Sequence, residues 1–163
     1  MKMNLSKEKN QNNPKITVGI PVFNGEKSIR RSLDSVLSQT FLDFELVISD
    51  NASTDSTSLI CQEYKKNDKR IRYIRNEKNI GGIANFKLLL DESKTEYFVW
   101  LAADDYWDPT FLEKNLPVLE KNLNIICSAS QVKYFGNNID YWKKRSVHGP
   151  FRIFRKIIKR FQN

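Results

Sequence analysis

Apolar residues in this chain gather into short runs that alternate with segments of helical spacing. Ile16 to Val22 is β-branched and reads as a strand, followed by a turn at Asn24-Gly25. From Glu26 to Ser38 the apolar positions Ile29, Leu33, Val36 and Leu37 recur at helical spacing. Phe44 to Ser49 is a second apolar strand that ends at Asp50. Asn51 to Asp55 is a turn cluster that also supplies an N-cap for a helix from about Ser56 to Lys66. Ile71 to Ile74 is a short third strand, Asn79-Ile80-Gly81-Gly82 a loop, and Ile83 to Asp91 a helix. The apolar run from Tyr97 to Ala103 ends in Asp104-Asp105, and a helix follows over Pro109 to Lys121 with proline in a first-turn position. Ile125 to Phe135 is a last strand-like run. Strands alternating with helices imply βαβ units, hence an α/β fold with a mostly parallel sheet.

The adjacent carboxylates at the end of an apolar strand carry the most chemistry. In an open α/β sheet, ligands bind outside the carboxyl ends of the strands. Two acids placed side by side there repel each other, and a divalent cation bearing a phosphate ligand relieves the repulsion. Three loops follow strand ends, at residues 21–25, 50–55 and 104–108, and a parallel sheet brings them to one edge. That edge carries Asn24, Asp50, Asn51, Asp104 and Asp105, a set suited to a base, a ribose and a metal-held diphosphate. No G-x-G-x-x-G follows the first strand, and Gly25-Glu26-Lys27-Ser28 lacks the glycine and lysine spacing of a P-loop. Hard oxygen donors without a Cys/His cluster favour Mg²⁺ or Mn²⁺ over Zn²⁺.

At 163 residues the chain is long enough for one domain with a real core. Its net charge of +8 is uneven: residues 1–140 hold 19 Lys and Arg against 19 Asp and Glu, whereas residues 141–163 hold eight basic residues and no acid. The body is therefore neutral and the excess lies in a tail, which argues against a nucleic-acid-binding core. Residues 1–14 are polar and read as a disordered leader without a signal-peptide core. No apolar run reaches the ~20 residues of a membrane span. Cys61 and Cys127 lack metal or redox spacing and read as reduced, buried thiols of a cytoplasmic protein. Lys65 to Arg75 reads as a charge run coating an exposed helix and loop. Asp55 reads as a helix cap, and Trp100, Tyr106 and Trp107 as packing residues.

Four segments in order resemble the family 2 glycosyltransferases of GT-A fold: Ile20-Pro21-Val22-Phe23-Asn24-Gly25-Glu26, Leu33 to Thr40, Phe44 to Asp55, and Asp104-Asp105 with Pro109. The resemblance runs from about Lys15 to Ala129. It implies a Rossmann-like nucleotide-diphospho-sugar transferase fold, with helices on both faces of a mostly parallel sheet. It also implies metal-dependent, inverting transfer of a sugar from a nucleotide sugar, a UDP-sugar by expectation, to a glycan or lipid-linked acceptor in cell-surface polysaccharide synthesis. By the same resemblance Pro21, Phe23 and Asn24 meet the nucleoside, and Asp50 with Asn51 serves the base. Gly81 and Gly82 belong to the loop over the donor, Asp104 lies near the ribose or sugar, and Asp105 coordinates Mg²⁺ or Mn²⁺.

The family's general base lies well downstream of the acidic pair. Here the only acid after Glu120 is Asp140, in a context unlike the usual base segment. A donor-binding domain over residues 15–140 without an identifiable base is thus expected, and the alternative reading is a truncated, inactive nucleotide-sugar-binding or membrane-associated remnant. In the tail, Phe151, Phe154, Ile157, Ile158 and Phe161 fall on one helical face and Arg152, Arg155, Lys156, Lys159 and Arg160 on the other. This predicts a basic amphipathic helix over 150–163. It would either lie on an anionic membrane, making the protein peripheral at the inner face of the plasma membrane, or cover the sheet.

Overall fold

The computed structural model describes residues 14–130 and 152–155. The leader, Asp140, the end of the run to Phe135 and the remainder of the tail lie outside the described residues. The elements run β1 (Ile16–Val22), α1 (Ile29–Leu37), β2 (Phe44–Asp50), α2 (Thr57–Asn67), β3 (Ile71–Arg75), α3 (Gly82–Glu92), β4 (Tyr97–Trp100), α4 (Phe111–Lys121), β5 (Cys127–Ala129) and β6 (Arg152–Arg155). The sheet order is β3-β2-β1-β4-β6-β5. The first four strands pair in parallel, and β6 pairs antiparallel with both β4 and β5.

β1 sits between β2 and β4 and is buried along its whole length. Its larger apolar residues, Ile16, Val18, Ile20 and Val22, alternate with Thr17, Gly19 and Pro21 and line one face, while helices cover both faces of the sheet. On one face Ile29, Leu33 and Val36 of α1, Ile60 of α2, and Leu112, Leu116 and Leu119 of α4 pack on Ile16, Val18, Ile20, Leu46, Ile48 and Val99. Each such side chain contributes roughly 1.5–3 kcal/mol through removal from water. On the other face Leu89 of α3 packs on Val47 and Phe98. Gly19 admits this second layer: a Cβ there would lie 2.8 Å from Phe98 Cζ and 3.2 Å from Leu89 Cβ.

Pro21 lies in a central strand, where its missing N–H ought to break the ladder. The bonding sides of β1 show why it does not. The Val22 carbonyl accepts from Asn51 N at 2.8 Å on the β2 side, and the Gly19 carbonyl accepts from Leu101 N at 3.0 Å on the β4 side. Position 21 shares the side of position 19 and falls beyond Trp100, where β4 has already ended.

The expected elements form with shifted ends. α1 begins at Ile29 because residues 26–28 make a turn, β3 extends to Arg75, Gly82 already belongs to α3, and α4 starts at Phe111. The tail differs in kind. Residues 152–155, expected in a helix, form β6 between β4 and β5, and Ile153 is fully buried in the core. A strand slot with open backbone groups on two neighbours outweighs the local helical pattern, since each buried N–H and C=O needs a partner. Among the described residues no helix is long and apolar enough to cross a membrane.

Gly19→Val should destabilise the fold by roughly 1–3 kcal/mol, because the added side chain must displace Phe98 or the α3 backbone. Urea denaturation followed by far-ultraviolet circular dichroism measures this, and an unchanged midpoint would refute the close-packing argument.

Candidate functional site

The strand order changes direction beside β1: the chain steps outward through β2 and β3, then returns to place β4 on the other side. Such a switch point leaves a crevice at the carboxyl ends of the two strands. Loops 23–28, 51–56, 76–81 and 101–110 all leave this edge. They are stitched to each other by side chains, so the edge is a built surface rather than four independent turns.

The first seam joins the loops after β1 and β2. Asn24 N donates to Ser53 Oγ at 2.9 Å, and Asn24 Oδ1 accepts from Thr54 N at 2.8 Å. Gly25 N donates to Thr57 Oγ1 at 2.8 Å. Glu26 N donates to Asp55 Oδ2 at 3.1 Å while Ser56 N donates to Glu26 Oε2 at 3.0 Å, a reciprocal clamp. Asp55 Oδ1 also accepts from Thr57 N at 3.0 Å, but the N-cap position of α2 is Ser56, whose side chain makes no capping bond, so Asp55 ties the loop to the first turn from one residue further out. Asn24 and Ala52 have φ of 53° and 62°. Both sit in these loops, and alanine in that region stores strain.

The second seam ties the loop before α3 to β2. Asn51, 2 % exposed, donates to Asn79 Oδ1 at 2.8 Å and accepts from Asn76 Nδ2 at 3.0 Å and Ile80 N at 2.9 Å. Buried Asn85 accepts from Ser49 Oγ at 2.5 Å and donates to the Ser49 carbonyl at 2.9 Å. Gly81, at φ 85°, donates to Asn79 Oδ1 at 2.8 Å, and no atom lies within 4 Å of where a Cβ would stand on Gly81 or Gly82. This leaves bare backbone facing open space at the start of α3.

The third seam holds the acidic pair from below. Ser32 Oγ donates to the Ala103 carbonyl at 2.9 Å and the Asp105 carbonyl at 2.6 Å, and Arg31 Nη2 donates to the Asp104 carbonyl at 3.0 Å. Gln39, 2 % exposed, donates to the Asp108 carbonyl at 2.8 Å and accepts from Leu112 N at 3.0 Å. Gly25 lets the loops meet, since a Cβ there would lie 2.7 Å from Val22 Cγ2 and 3.8 Å from Ala103 Cβ.

The Asp104 and Asp105 side chains are both exposed, and among the described residues neither carboxylate accepts a hydrogen bond. Burial of the Asp105 carboxyl within its loop and repulsion from Asp104 push it above the usual carboxylate value of 3.8, with Arg31 opposing. Two unbonded carboxylates, one resisting ionisation, form a donor set that fits a hard divalent cation. No cluster of three or more Cys, His, Asp or Glu side chains suits a metal among the described residues, so a cation held here needs oxygen ligands from a bound partner as well.

Asp50 stands at the end of β2 with 0 % exposure. Its Oδ1 accepts from Ser53 N at 2.8 Å, and its Oδ2 accepts from Tyr73 Oη at 2.6 Å and Arg75 Nη1 at 2.8 Å. Burial and the Asp50 carboxylate push the Tyr73 hydroxyl above its ordinary value. Arg75, expected in a surface charge run, therefore belongs to the site. The signal was register: in parallel pairing Arg75 lies opposite Asp50. Pro21 is buried and Phe23 is 49 % exposed at the rim. Trp107 packs against Phe111 with ring centroids 4.4 Å apart, as expected, and Trp100 meets Phe98 edge-on at 4.7 Å. Tyr106 departs from that expectation: it is 40 % exposed beneath the Arg31 guanidinium at 4.5 Å. Cys61 is buried and Cys127 half-buried, and burial pushes the Cys61 thiol up to about 12.

The family model described as glycosyl transferase family 2 matches residues 17–163. The chain belongs to this family. An uncharacterized glycosyltransferase of Haemophilus influenzae is 33% identical over 123 residues, covering 76% of this chain and 38% of the relative. A chondroitin synthase of Escherichia coli is 36% identical over 115 residues, covering 70% of this chain and 16% of that protein. This family 2 chain thus spans well under half the length of these relatives. Among solved structures, a mannosyltransferase of Pyrobaculum calidifontis in complex with GDP-Man and Mn²⁺ superposes with TM-score 0.71 at 21% identity, covering 89% of this chain and 45% of that one. Residues 1–349 of Staphylococcus aureus TarS, in complex with UDP-GlcNAc, superpose with TM-score 0.69 at 23% identity over 86% and 45% of the two chains. The fold is therefore that of the GT-A transferases.

Two outcomes test the site's construction. An acid whose value is raised in the folded state lends stability below its unfolded value, and that contribution is lost as pH rises through the folded value. Asp105→Asn should therefore raise Tm at pH 7, with the gain shrinking to nothing as pH falls through 4. A gain that persists at pH 3.5 would exclude relief of ionisation as its source. Gln39→Ala should cost about 1–3 kcal/mol, since it strands the Leu112 N–H and leaves the Asp108 carbonyl with Phe111 N alone, and chemical denaturation measures the loss.

Proposed function

We propose that this chain supplies the donor side of a metal-dependent, inverting glycosyl transfer. The donor is a nucleotide sugar, with uridine as the base, and the acceptor a glycan or lipid-linked sugar of a cell-surface polysaccharide. The observation that carries this reading is the unbonded carboxylate pair, Asp104-Asp105, clamped at the carboxyl end of β4 beside the β1/β4 switch point. The complexes of the two superposed transferases, one with GDP-Man and Mn²⁺ and one with UDP-GlcNAc, support a nucleotide-sugar ligand for this fold. The chondroitin synthase relative supports a polysaccharide product. A lipid-linked acceptor would bring the protein to the cytoplasmic face of the plasma membrane as a peripheral protein.

Asp105 is the proposed ligand of Mg²⁺ or Mn²⁺, with Asp104 turned to the ribose or sugar. When bound, the ion supplies Lewis acidity that stabilises charge on the departing diphosphate. The chain's own residues orient the donor. Phe23, exposed at the rim, offers apolar area to the nucleoside next to Pro21 and Asn24. Asp50 and Asn51 shape the base side, and the bare backbone at Gly81 and Gly82 admits a ligand close to the first turn of α3. Ser32 and Gln39 keep the acidic loop in place, so that little reorganisation accompanies binding. The same donor contacts would serve a second reading, a nucleotide-sugar binder without transfer.

Calorimetric titration of UDP should give binding that requires Mn²⁺ or Mg²⁺ and is lost in Asp105→Ala. Absence of metal-dependent binding overturns the donor-site reading. Donor hydrolysis that disappears in Asp105→Ala selects the enzyme over the binder, whereas binding without hydrolysis or transfer selects the binder.

A further inference from the structure

One guanidinium grips the acidic loop on both sides of Asp105. Arg31 Nη2 donates to the Asp104 carbonyl at 3.0 Å, and the same group lies over the Tyr106 ring with Cζ 4.5 Å from its centroid. The Asp105 backbone between them is bonded at both ends. Its N–H donates to the Ala102 carbonyl at 3.1 Å, and its carbonyl accepts from Ser32 Oγ at 2.6 Å. None of these contacts uses a carboxylate oxygen of the pair. Arg31 itself is exposed on the first turn of α1, next to buried Ser32. A cation in this place acts on a divalent ion in two opposite ways. Its charge reaches the Asp105 carboxylate and repels a metal bound there. Its two contacts hold the backbone around Asp105, which leaves little more than side-chain torsions to be ordered on binding. The repulsion runs between exposed groups and is screened by water and salt, whereas the grip on the loop is direct.

We propose that Arg31 is a positioning residue of the metal site, with Tyr106 as its support, and that its hold on the loop outweighs its repulsion of the ion. The inference rests on the metal-dependent reading of Asp104-Asp105. Ser32 cannot hold this loop by itself. Its hydroxyl has one proton, which the Ala103 and Asp105 carbonyls share at 2.9 and 2.6 Å. Arg31 takes the carbonyl between them, so three successive carbonyls are directed at the first turn of α1 and the carboxylates are left unbonded. A guanidinium suits the task better than an ammonium, because its flat face stacks on the ring while an N–H at its edge reaches the carbonyl.

The test titrates Mn²⁺ alone, read by the electron paramagnetic resonance signal of the free ion, against wild type, R31M, Y106L, Y106F, the R31M/Y106L double variant and D105A at fixed ionic strength. The bare ion is the probe because its nucleotide complex carries negative charge, which Arg31 attracts whatever its role. R31M should bind Mn²⁺ about three- to tenfold more weakly than wild type, the scale of one hydrogen bond, with an unchanged far-ultraviolet circular dichroism spectrum. Y106L should lose part of that affinity, and Y106F, which keeps the ring, should bind more tightly than Y106L. The double variant should bind no more weakly than R31M, because the ring acts through the guanidinium. Affinity in R31M equal to or above that of wild type overturns the inference, since repulsion is then the effect that prevails. An additive loss in the double variant overturns it as well, as does Y106F binding as weakly as Y106L. If R31M does not fold, the order of wild type, Y106F and Y106L decides. Wild type that takes up no Mn²⁺, or uptake that survives in D105A, overturns the metal-site reading itself, and the role of Arg31 falls with it.

Discussion

Everything in this molecule that bears on chemistry depends on β1 being paired in parallel on both sides. With β2 on one edge and β4 on the other, three strands end at the same edge of the sheet, and the loops after them have nowhere else to go. The reversal of strand order at β1 keeps those loops from closing over one another, which leaves room for a ligand. The pairing itself rests on modest local requirements. Gly19 must lack a side chain so that α3 can cover one face, and Pro21 must fall where the β4 ladder has already ended.

The loops are then fixed by neutral hydrogen bonds more than by charge. Asn24, Asn51, Ser53, Thr57, Asn76 and Asn79 bind each other and nearby backbone, satisfying groups that water would otherwise have to reach. The charges sit at two places within this frame and are treated differently. Asp50 is buried and fully partnered, which makes it a structural anion. Asp104 and Asp105 are exposed and unbonded among the described residues, and the charge of one beside the other leaves repulsion for a ligand to relieve. An unpaired acidic pair costs stability in the free protein, a pattern expected of groups kept for binding.

The second face of the sheet is covered differently from the first. Three helices lie on one side, whereas α3 alone supplies the described cover on the other. β6 enters the sheet antiparallel between β4 and β5, so residues 152–155 extend it and Ile153 joins the same core.

Most of this architecture was legible in the sequence. Apolar runs of strand length, helical spacing between them and the Asn24-Gly25 and Asn51–Asp55 turns identify the elements, because backbone geometry ties side-chain period to element type. The motif order identifies the family, and Asp104-Asp105 marks a candidate site, since two adjacent acids at a strand end repel each other unless a cation joins them. Pairing was not legible. Whether Arg75 coats a surface or reaches Asp50 depends on which residues lie opposite each other in β2 and β3, and nothing local encodes that register. The burial of Asp50 and the seating of Gln39 beneath the acidic loop are likewise settled by contacts between distant segments. The tail shows the limit most clearly. Its helical spacing is real as a pattern, yet at residues 152–155 a strand forms, because the unfilled hydrogen-bonding edges of β4 and β5 are a property of the folded sheet and not of the segment that fills them.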